Sequence, residues 1–171
     1  LALSTLGDVL TAAGGQALTA AGATGLLDEA WIDNGGIAFS EETPDGRDFT
    51  NCSWTWRDPA VSLLPLMFQT STEMGHMGAV LAGFIETIRL DGTTPRAGGR
   101  FYDTPEGEQF RDALLDGRHF GVSVDAGANT DVEWVCVEED EDGWCLREKG
   151  VFSAYEIVGL TGTPFPAFPT A

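Results

Sequence analysis

The chain has 171 residues, 43% of them hydrophobic, so it is long enough to bury the core of one domain without disulfides or metals. It carries 27 acidic residues against 9 lysines and arginines, a net charge of -18, and nucleic-acid binding needs the opposite sign. No stretch reaches the roughly 18 apolar residues of a membrane span, and the start lacks the basic segment of a signal peptide. We therefore expect a soluble protein that binds neither nucleic acid nor membranes.

The first segment, residues 1–30, is rich in glycine and alanine and contains the pentapeptide LTAAG twice, at 10–14 and 18–22. Such a composition buries little apolar surface, which predicts a flexible arm that orders only against a partner. LLDEAW at 26–31 could already begin the folded part. The predicted organisation is an arm over 1–30 and one β-barrel domain over 31–171.

After the arm, short apolar pieces alternate with DNGG, TPDG and RDP, which are typical turn sequences between strands. CSWTW at 52–56 has the alternation of a half-buried strand. VSLLPLMF at 61–68 contains Pro65, which favours an edge or bulged strand because proline cannot donate to a sheet. AVLAGFIETIRL at 79–90 predicts a long strand in which Gly83 marks a bulge or a close approach.

One helix is predicted in the next part of the chain. Thr104 is its expected N-cap, Pro105 its first residue, and Gly117 its C-terminal stop. Acidic residues in the first turn complement the positive end of the helix dipole. Phe110 and Leu114 lie at i and i+4 of this helix.

The rest of the chain is predicted to form strands. FGVSVD at 120–125 follows the helix stop, and DVEWVCVEE at 131–139 alternates up to an acidic hairpin tip, from which GWCLREK returns. VFSAYEIVGLTG at 151–162 is the last long strand. Together these elements predict the α+β class, a mostly antiparallel β-barrel or twisted sheet with at least one helix.

The three cysteines, Cys52, Cys136 and Cys145, form no CxxC pair, and their odd number excludes a complete disulfide framework. We predict buried free thiols in a reducing compartment.

The chain has neither a GxxxxGK[ST] sequence nor a GxGxxG after a strand, and its two histidines are too few for a usual zinc site. No cofactor and no metal are expected.

Ser123, in the middle of FGVSVD, is a candidate nucleophile if a base can remove its proton. His119 precedes it by four residues on the same strand, more than ~12 Å along an extended chain, and a contact with the helix dipole suits it better. His76, on a turn between strands, can approach from a neighbouring strand. Glu156 is the only acid in the last apolar strand and a candidate to orient His76. The alternatives are a cross-strand polar role for Ser123 and a turn-capping role for His76.

Three segments resemble tailed-phage prohead proteases, the enzymes of capsid maturation. PLMFQTSTEMGHMGAVLAGFIETI is similar to a family region in which an apolar strand leads to a histidine and then to a glycine. FGVSVD resembles the stretch with the nucleophile, and YEIVGLTGTPFPAF resembles the closing strand with its acid. The segments occur in the family order over about residues 60–170. The matching positions are His76, Gly83, Ser123, Glu156, Thr161 and Pro166-Ala167-Phe168.

The resemblance implies a herpesvirus-protease-like β-barrel and a serine endopeptidase with Ser123 as nucleophile, His76 as base and Glu156 as orienting acid. Its expected partners are the major capsid protein and scaffold segments, which it would cleave, together with itself, inside a procapsid assembled in the host cytoplasm. A homo-oligomer is also compatible with the family. Met77 stands where many relatives have an acid, and the herpesvirus enzymes use a second histidine in place of Glu156. Arg147 is a candidate helper for the oxyanion.

A structural function remains open beside the enzymatic one. In that case the chain is a structural or minor capsid component, a protease-like domain, active or not, that is retained in the virion shell after cleavage and bound through its N-terminal arm. The start at Leu1 without a methionine and the end at Ala171, just after PAF, are what self-processing at small or apolar sites would produce.

Overall fold

The computed structural model describes residues 25–32, 36–70, 76–116 and 121–164, which form nine strands of one sheet and one helix. The strands are β1 (Leu26–Ile32), β2 (Arg47–Asp48), β3 (Ser53–Trp56), β4 (Leu64–Phe68), β5 (Val80–Asp91), β6 (Thr94–Tyr102), β7 (Gly121–Ala126), β8 (Asp131–Glu139) and β9 (Cys145–Thr163). Helix α1 (Pro105–Leu115) lies between β6 and β7 in the chain. The predicted strands and helix are thus present.

The long strand β9 organises the sheet, because five other strands pair with it. Along one edge β2, β3 and β4 pair with β9 in parallel, in chain order toward its C-terminus. Along the other edge β7 and β8 pair with it in antiparallel fashion. From β4 the sheet continues through β5 and β6 to β1, again antiparallel.

The sheet is open, so the predicted closed barrel is wrong, while the coarser prediction of a mostly β protein with a helix is confirmed. Within the described ranges, β1 pairs with β6 alone and does not reach the strands beyond β9. Alternation along a strand predicts which side chains are buried, but closure depends on which strand edges meet, and that depends on distant segments.

Pro65 lies in β4, which is a central strand between β5 and β9, so its predicted edge position is wrong. The ladder to β9 begins only at Leu66, and the missing N–H of Pro65 therefore falls outside it. The predicted bulge is present in the β4–β5 pairing, where β5 contributes Ala82 as an extra residue. A Cβ at Gly83 would lie 2.2 Å from the carbonyl oxygen of Arg100, which confirms the close approach.

Helix α1 begins as the sequence predicts. The Oγ1 atom of Thr104 accepts a hydrogen bond of 3.2 Å from the backbone N–H of Gly107, and Pro105 occupies the first turn. The C-cap is Asp116, whose backbone N–H donates to Asp112. The predicted stop at Gly117 lies outside the described residues.

Phe110 anchors α1 to the sheet. Its ring stacks on that of Phe68 in β4, with centroids 4.7 Å apart, and meets Phe101 of β6 edge to face. Ala113 is buried beside it, whereas Leu114 is 39% exposed. The buried face of the helix therefore follows the i, i+3 spacing.

A second aromatic cluster lies in the core, and its members are Phe49, Trp54, Phe152 and Tyr155. The hydroxyl of Tyr155 donates a hydrogen bond of 3.0 Å to the carbonyl of Val124 in β7. Burial, and next the charge of Asp125, raise the pKa of Tyr155, so this hydroxyl keeps its proton. The bond holds β7 against β9 next to the candidate nucleophile.

Cys136 and Cys145 form a disulfide between β8 and β9, so the prediction of free thiols is wrong for this pair. The hairpin brings their Cα atoms to 5.7 Å, a distance that sequence spacing does not reveal. Cys52 is a free, half-buried thiol, and burial raises its pKa to about 11.

The predicted arm and its boundary fall mostly outside the described residues, since the description starts at residue 25. β1 belongs to the sheet from Leu26 onward, so the sheet begins before the predicted domain start at residue 31. In the described part of the chain, the single helix is too short and too polar to cross a membrane.

Candidate active site

Ser123 and Asp125 lie on one face of β7, because they are two residues apart and successive strand residues point to opposite faces. Thr161 of β9 is the register partner of Ser123. Its Oγ1 atom donates to the carboxylate of Asp125, at 3.2 and 3.1 Å from the two oxygens. A serine, a threonine and an aspartate are therefore neighbours across the β7–β9 pair.

His76 reaches this face from the connection between β4 and β5. Its Nδ1 atom lies 2.6 Å from Oδ1 of Asp125, a short contact of the kind that charged groups make. The backbone φ of His76 is 59°, in the left-handed region, and its carbonyl accepts a turn hydrogen bond from Ala79. Such a conformation costs about 1–3 kcal/mol and is common at functional sites.

Gln69 holds the turn that carries His76. Its buried Nε2 atom donates a hydrogen bond of 3.0 Å to the carbonyl of Met77. Its backbone N–H donates to Gly162, and its Oε1 accepts from Thr163 at 3.4 Å. Gln69 thus connects the histidine turn to the end of β9. Sequence reasoning missed this residue; the only indication was a polar side chain directly after an apolar strand.

Glu156 does not contact His76. Asp125 occupies the position beside the histidine that was expected for Glu156. The Oε2 atom of Glu156 accepts hydrogen bonds from the backbone N–H and the side-chain amide of Asn129, at 3.1 and 3.0 Å. Its Oε1 atom lies 3.7 Å from Nε of the exposed Arg57. The buried carboxylate therefore stabilises the turn between β7 and β8.

The reason is where each acid lies relative to the C-terminal end of β9. The connection with His76 starts after Phe68, whose partner in β9 is Gly162. Glu156 lies six residues before Gly162, roughly 20 Å along an extended strand. Asp125 is nearer because it pairs with Gly159. The sequence did contain an indication, since Asp125 closes FGVSVD at the same parity as Ser123.

Glu156→Ala is expected to lower the free energy of unfolding by about 1–3 kcal/mol, because both amides of Asn129 lose their acceptor. Urea denaturation followed by circular dichroism measures this loss. Glu133→Ala, at an exposed position of β8, serves as the control and should change stability by less than about 0.5 kcal/mol. Equal stabilities of the two variants would contradict the role given to Glu156.

The arrangement is suited to nucleophilic catalysis. With Nδ1 of His76 held by Asp125, the other ring nitrogen, Nε2, is available to accept a proton. Ser123 is 6% exposed and is the hydroxyl nearest in sequence to that pair. Arg147, the candidate oxyanion helper, pairs with Glu138 in the hairpin and lies roughly 45 Å along β9 from Thr161. His119 lies outside the described residues.

If this site catalyses hydrolysis, Thr161→Val is expected to slow the reaction about tenfold, because Asp125 loses a donor that fixes its carboxylate. Thr161→Ser keeps the hydroxyl and should retain most of the rate. The test compares kcat and KM of the two variants, and a positioning role predicts a change in kcat with KM nearly constant. A Thr161→Val enzyme with the normal kcat would show that this hydroxyl is dispensable.

Within residues 25–32, 36–70, 76–116 and 121–164, no group of three or more histidine, cysteine or acidic side chains could hold a metal ion.

Comparisons with protein-family models, with curated proteins and with solved structures found no match to this chain. The likeness to prohead proteases therefore rests on the three sequence segments, of which the closing PAF lies outside the described residues.

Proposed function

We propose that the chain is a serine endopeptidase of capsid maturation, with Ser123 as nucleophile, His76 as general base and Asp125 as the acid that orients the histidine. The observation that carries the proposal is the 2.6 Å contact between His76 and Asp125, two residues from Ser123 on the same face of β7. A histidine fixed by a carboxylate beside a serine is the arrangement that unrelated serine hydrolases share.

The chemistry follows from the two ring nitrogens of His76. Nε2 takes the proton of Ser123 as Oγ attacks the peptide carbonyl, and the carboxylate of Asp125 stabilises the imidazolium that forms. The imidazolium then protonates the leaving amine as the C–N bond breaks, which leaves an acyl-serine. A water molecule then gives a proton to Nε2 as its oxygen attacks the ester carbonyl. The C–Oγ bond breaks, the imidazolium returns the proton to Oγ, and the acid is released.

The substrates in this proposal are segments of scaffold and major capsid proteins, and the chain itself, within the procapsid. Support comes from the three ordered segments that resemble prohead proteases and from their matching residues His76 and Ser123. The strong negative charge is compatible with a protein that works beside packaged DNA without binding it. A homo-oligomer is part of the same proposal.

A structural role is the second candidate, and the burial of Ser123 favours it. At 6% exposure the hydroxyl offers little surface to a substrate, as expected for a serine that only pairs across strands. In that case the domain would remain in the capsid shell as a minor component. The two candidates differ in whether Ser123 can be acylated.

The deciding experiment is labelling with a fluorophosphonate, which phosphonylates activated serines with loss of fluoride. Intact mass and peptide mapping should place one adduct on Ser123 and none in Ser123→Ala or His76→Ala. Ser153 is the internal control, because its hydroxyl is exposed and donates to Asp131 at 2.8 Å, with no histidine partner in the described part of the chain. No adduct in the folded wild type, or labelling of Ser153 to the same extent, would favour the structural role.

The capsid part of the proposal needs its own test. Co-expression of the full-length protein with the scaffold and major capsid proteins of the same phage should give shortened products by mass spectrometry, and His76→Ala should leave those proteins intact. If Ser123 is labelled but the scaffold and capsid proteins stay intact, the chain is a hydrolase whose substrates are not these proteins.

A further inference from the structure

The strands β8 and β9 extend beyond the sheet as a hairpin, here called the acidic hairpin and defined as residues 131–150. Among the described residues, β8 pairs with β9 alone, and the segment 145–149 of β9 pairs with β8 alone. Most of its side chains are exposed. The hairpin is therefore built from local pairing and contributes little to the core.

The acidic hairpin carries exposed aromatic side chains, which a solvated hairpin does not need. Trp134 is 60% and Trp144 is 74% exposed, and they are the exposed aromatic residues of the described chain. Val137 and Leu146 are exposed beside them in sequence. Tryptophan is the residue most enriched at the energetic centres of protein interfaces.

The exposed tryptophans are held in place rather than left on a loose loop. The disulfide between Cys136 and Cys145 joins the two strands below the tip. The carboxylate of Asp140 accepts the backbone N–H of Trp144 at 2.8 Å, and the backbone N–H of Asp140 donates to the carbonyl of Trp144 at 2.9 Å. A surface ordered in advance loses less conformational entropy on binding.

The charge of the hairpin indicates what it can bind. Residues 131–150 contain eight acids and two bases, a net charge of -6. The bases are already paired, Arg147 with Glu138 and Lys149 with Glu42 and Asp48. Nucleic acid, anionic membranes and a second copy of this chain, at -18, are all repelled. A cationic segment is attracted.

A groove at the base of the hairpin offers room for such a segment. It has a volume of about 650 Å³ and lies between the loop 42–46 and the hairpin strands. Its lining contains three acids, Glu42, Asp45 and Glu148, and two bases, Arg147 and Lys149, with Val137 as an apolar member. The lining is thus only slightly negative, and the attraction for a cationic segment comes from the exposed carboxylates of the hairpin.

We propose that the acidic hairpin is a docking surface for a cationic, amphipathic protein segment that covers Trp134 and Trp144 and pairs its lysines or arginines with the surrounding carboxylates. This function is independent of Ser123 and His76. It provides a means of recruiting a partner through a surface separate from the candidate active site.

The test uses the full chain with Ser123→Ala, so that no probe is cleaved. Three fluorescent 14-residue peptides serve as probes: one of leucine and lysine, one with glutamate for each lysine, and one with serine for each leucine. Fluorescence anisotropy should detect binding of the leucine–lysine peptide alone, and added salt should weaken it. If the serine–lysine peptide bound equally well, charge alone would explain the binding, and the proposal would be overturned.

Matched variants locate the binding site. Trp144→Ser with Leu146→Ser should weaken binding at least tenfold, whereas Leu115→Ser, at a similarly exposed position of α1, should not. Glu139→Gln with Glu141→Gln should weaken it more than Glu41→Gln with Glu86→Gln, which remove the same charge elsewhere. Because all these positions are exposed, circular dichroism should show the wild-type fold. Equal effects of the hairpin and control variants would overturn the proposal, as would a dimer in sedimentation that Trp144→Ser dissociates.

Discussion

Asp125→Asn is expected to lower the rate of substrate cleavage by about a thousandfold to ten-thousandfold, with the protein still folded. The asparagine amide fits the same space but cannot hold Nδ1 of His76 as a donor, nor stabilise the imidazolium. Glu156→Gln is the matched control, because it neutralises a buried acid in the same region of the sheet. It should retain most of the activity. The measurement is kcat/KM for cleavage, followed by the mass of the products.

The outcome distinguishes the two carboxylates that sequence and structure favour. If Glu156→Gln abolished cleavage and Asp125→Asn did not, the site derived from the His76 contact would be wrong and the family position of the acid right. Ser123→Ala and His76→Ala give the background rate of cleavage in this assay. Thermal unfolding of every variant shows whether a loss of rate comes from a loss of fold.

Phe110→Ala is expected to destabilise the protein by about 3–5 kcal/mol. The ring is 2% exposed and contacts the aromatic rings of Phe68 and Phe101, so its removal leaves a cavity between α1 and the sheet. Chemical denaturation with a two-state analysis measures the change.

Leu114→Ala tests whether that effect belongs to the buried ring or to the helix as a whole. Both residues lie in α1, but Leu114 is 39% exposed, and its truncation should cost less than about 1 kcal/mol. Similar losses for both substitutions would mean that helix propensity, and not the packing of Phe110, controls the stability of this region.

The two candidate catalytic residues that sequence alone could single out were those with unusual local context. Ser123 interrupts an apolar run, and His76 is one of two histidines, placed in a turn. Asp125 was harder to single out, because an acid at the end of a strand is common, and its parity with Ser123 in FGVSVD does not reveal a partner 49 residues away. Glu156 was chosen because buried acids are rare. The structure shows a different reason for its burial, the capping of the Asn129 turn.

For the fold, local patterns sufficed to locate strands and caps but not their arrangement. Thr104 and Pro105 define the start of α1 through hydrogen bonds within a few residues, so the sequence predicts that boundary well. By contrast, GWCLREK and VFSAYEIVGLTG were predicted as separate strands, although they form the single strand β9. The join at Gly150 is continuous because β2 and β8 pair with β9 on both of its edges there.

By itself the sequence determined the strand content, the helix, the excess of negative charge and the candidacy of Ser123 and His76, since each depends on residue type and on contacts within a few positions. Only the tertiary structure decided that the sheet is open, that Cys136 and Cys145 are joined and that Asp125 is the acid beside His76. These features depend on register between strands distant in the chain, and register is set by the packing of the whole sheet.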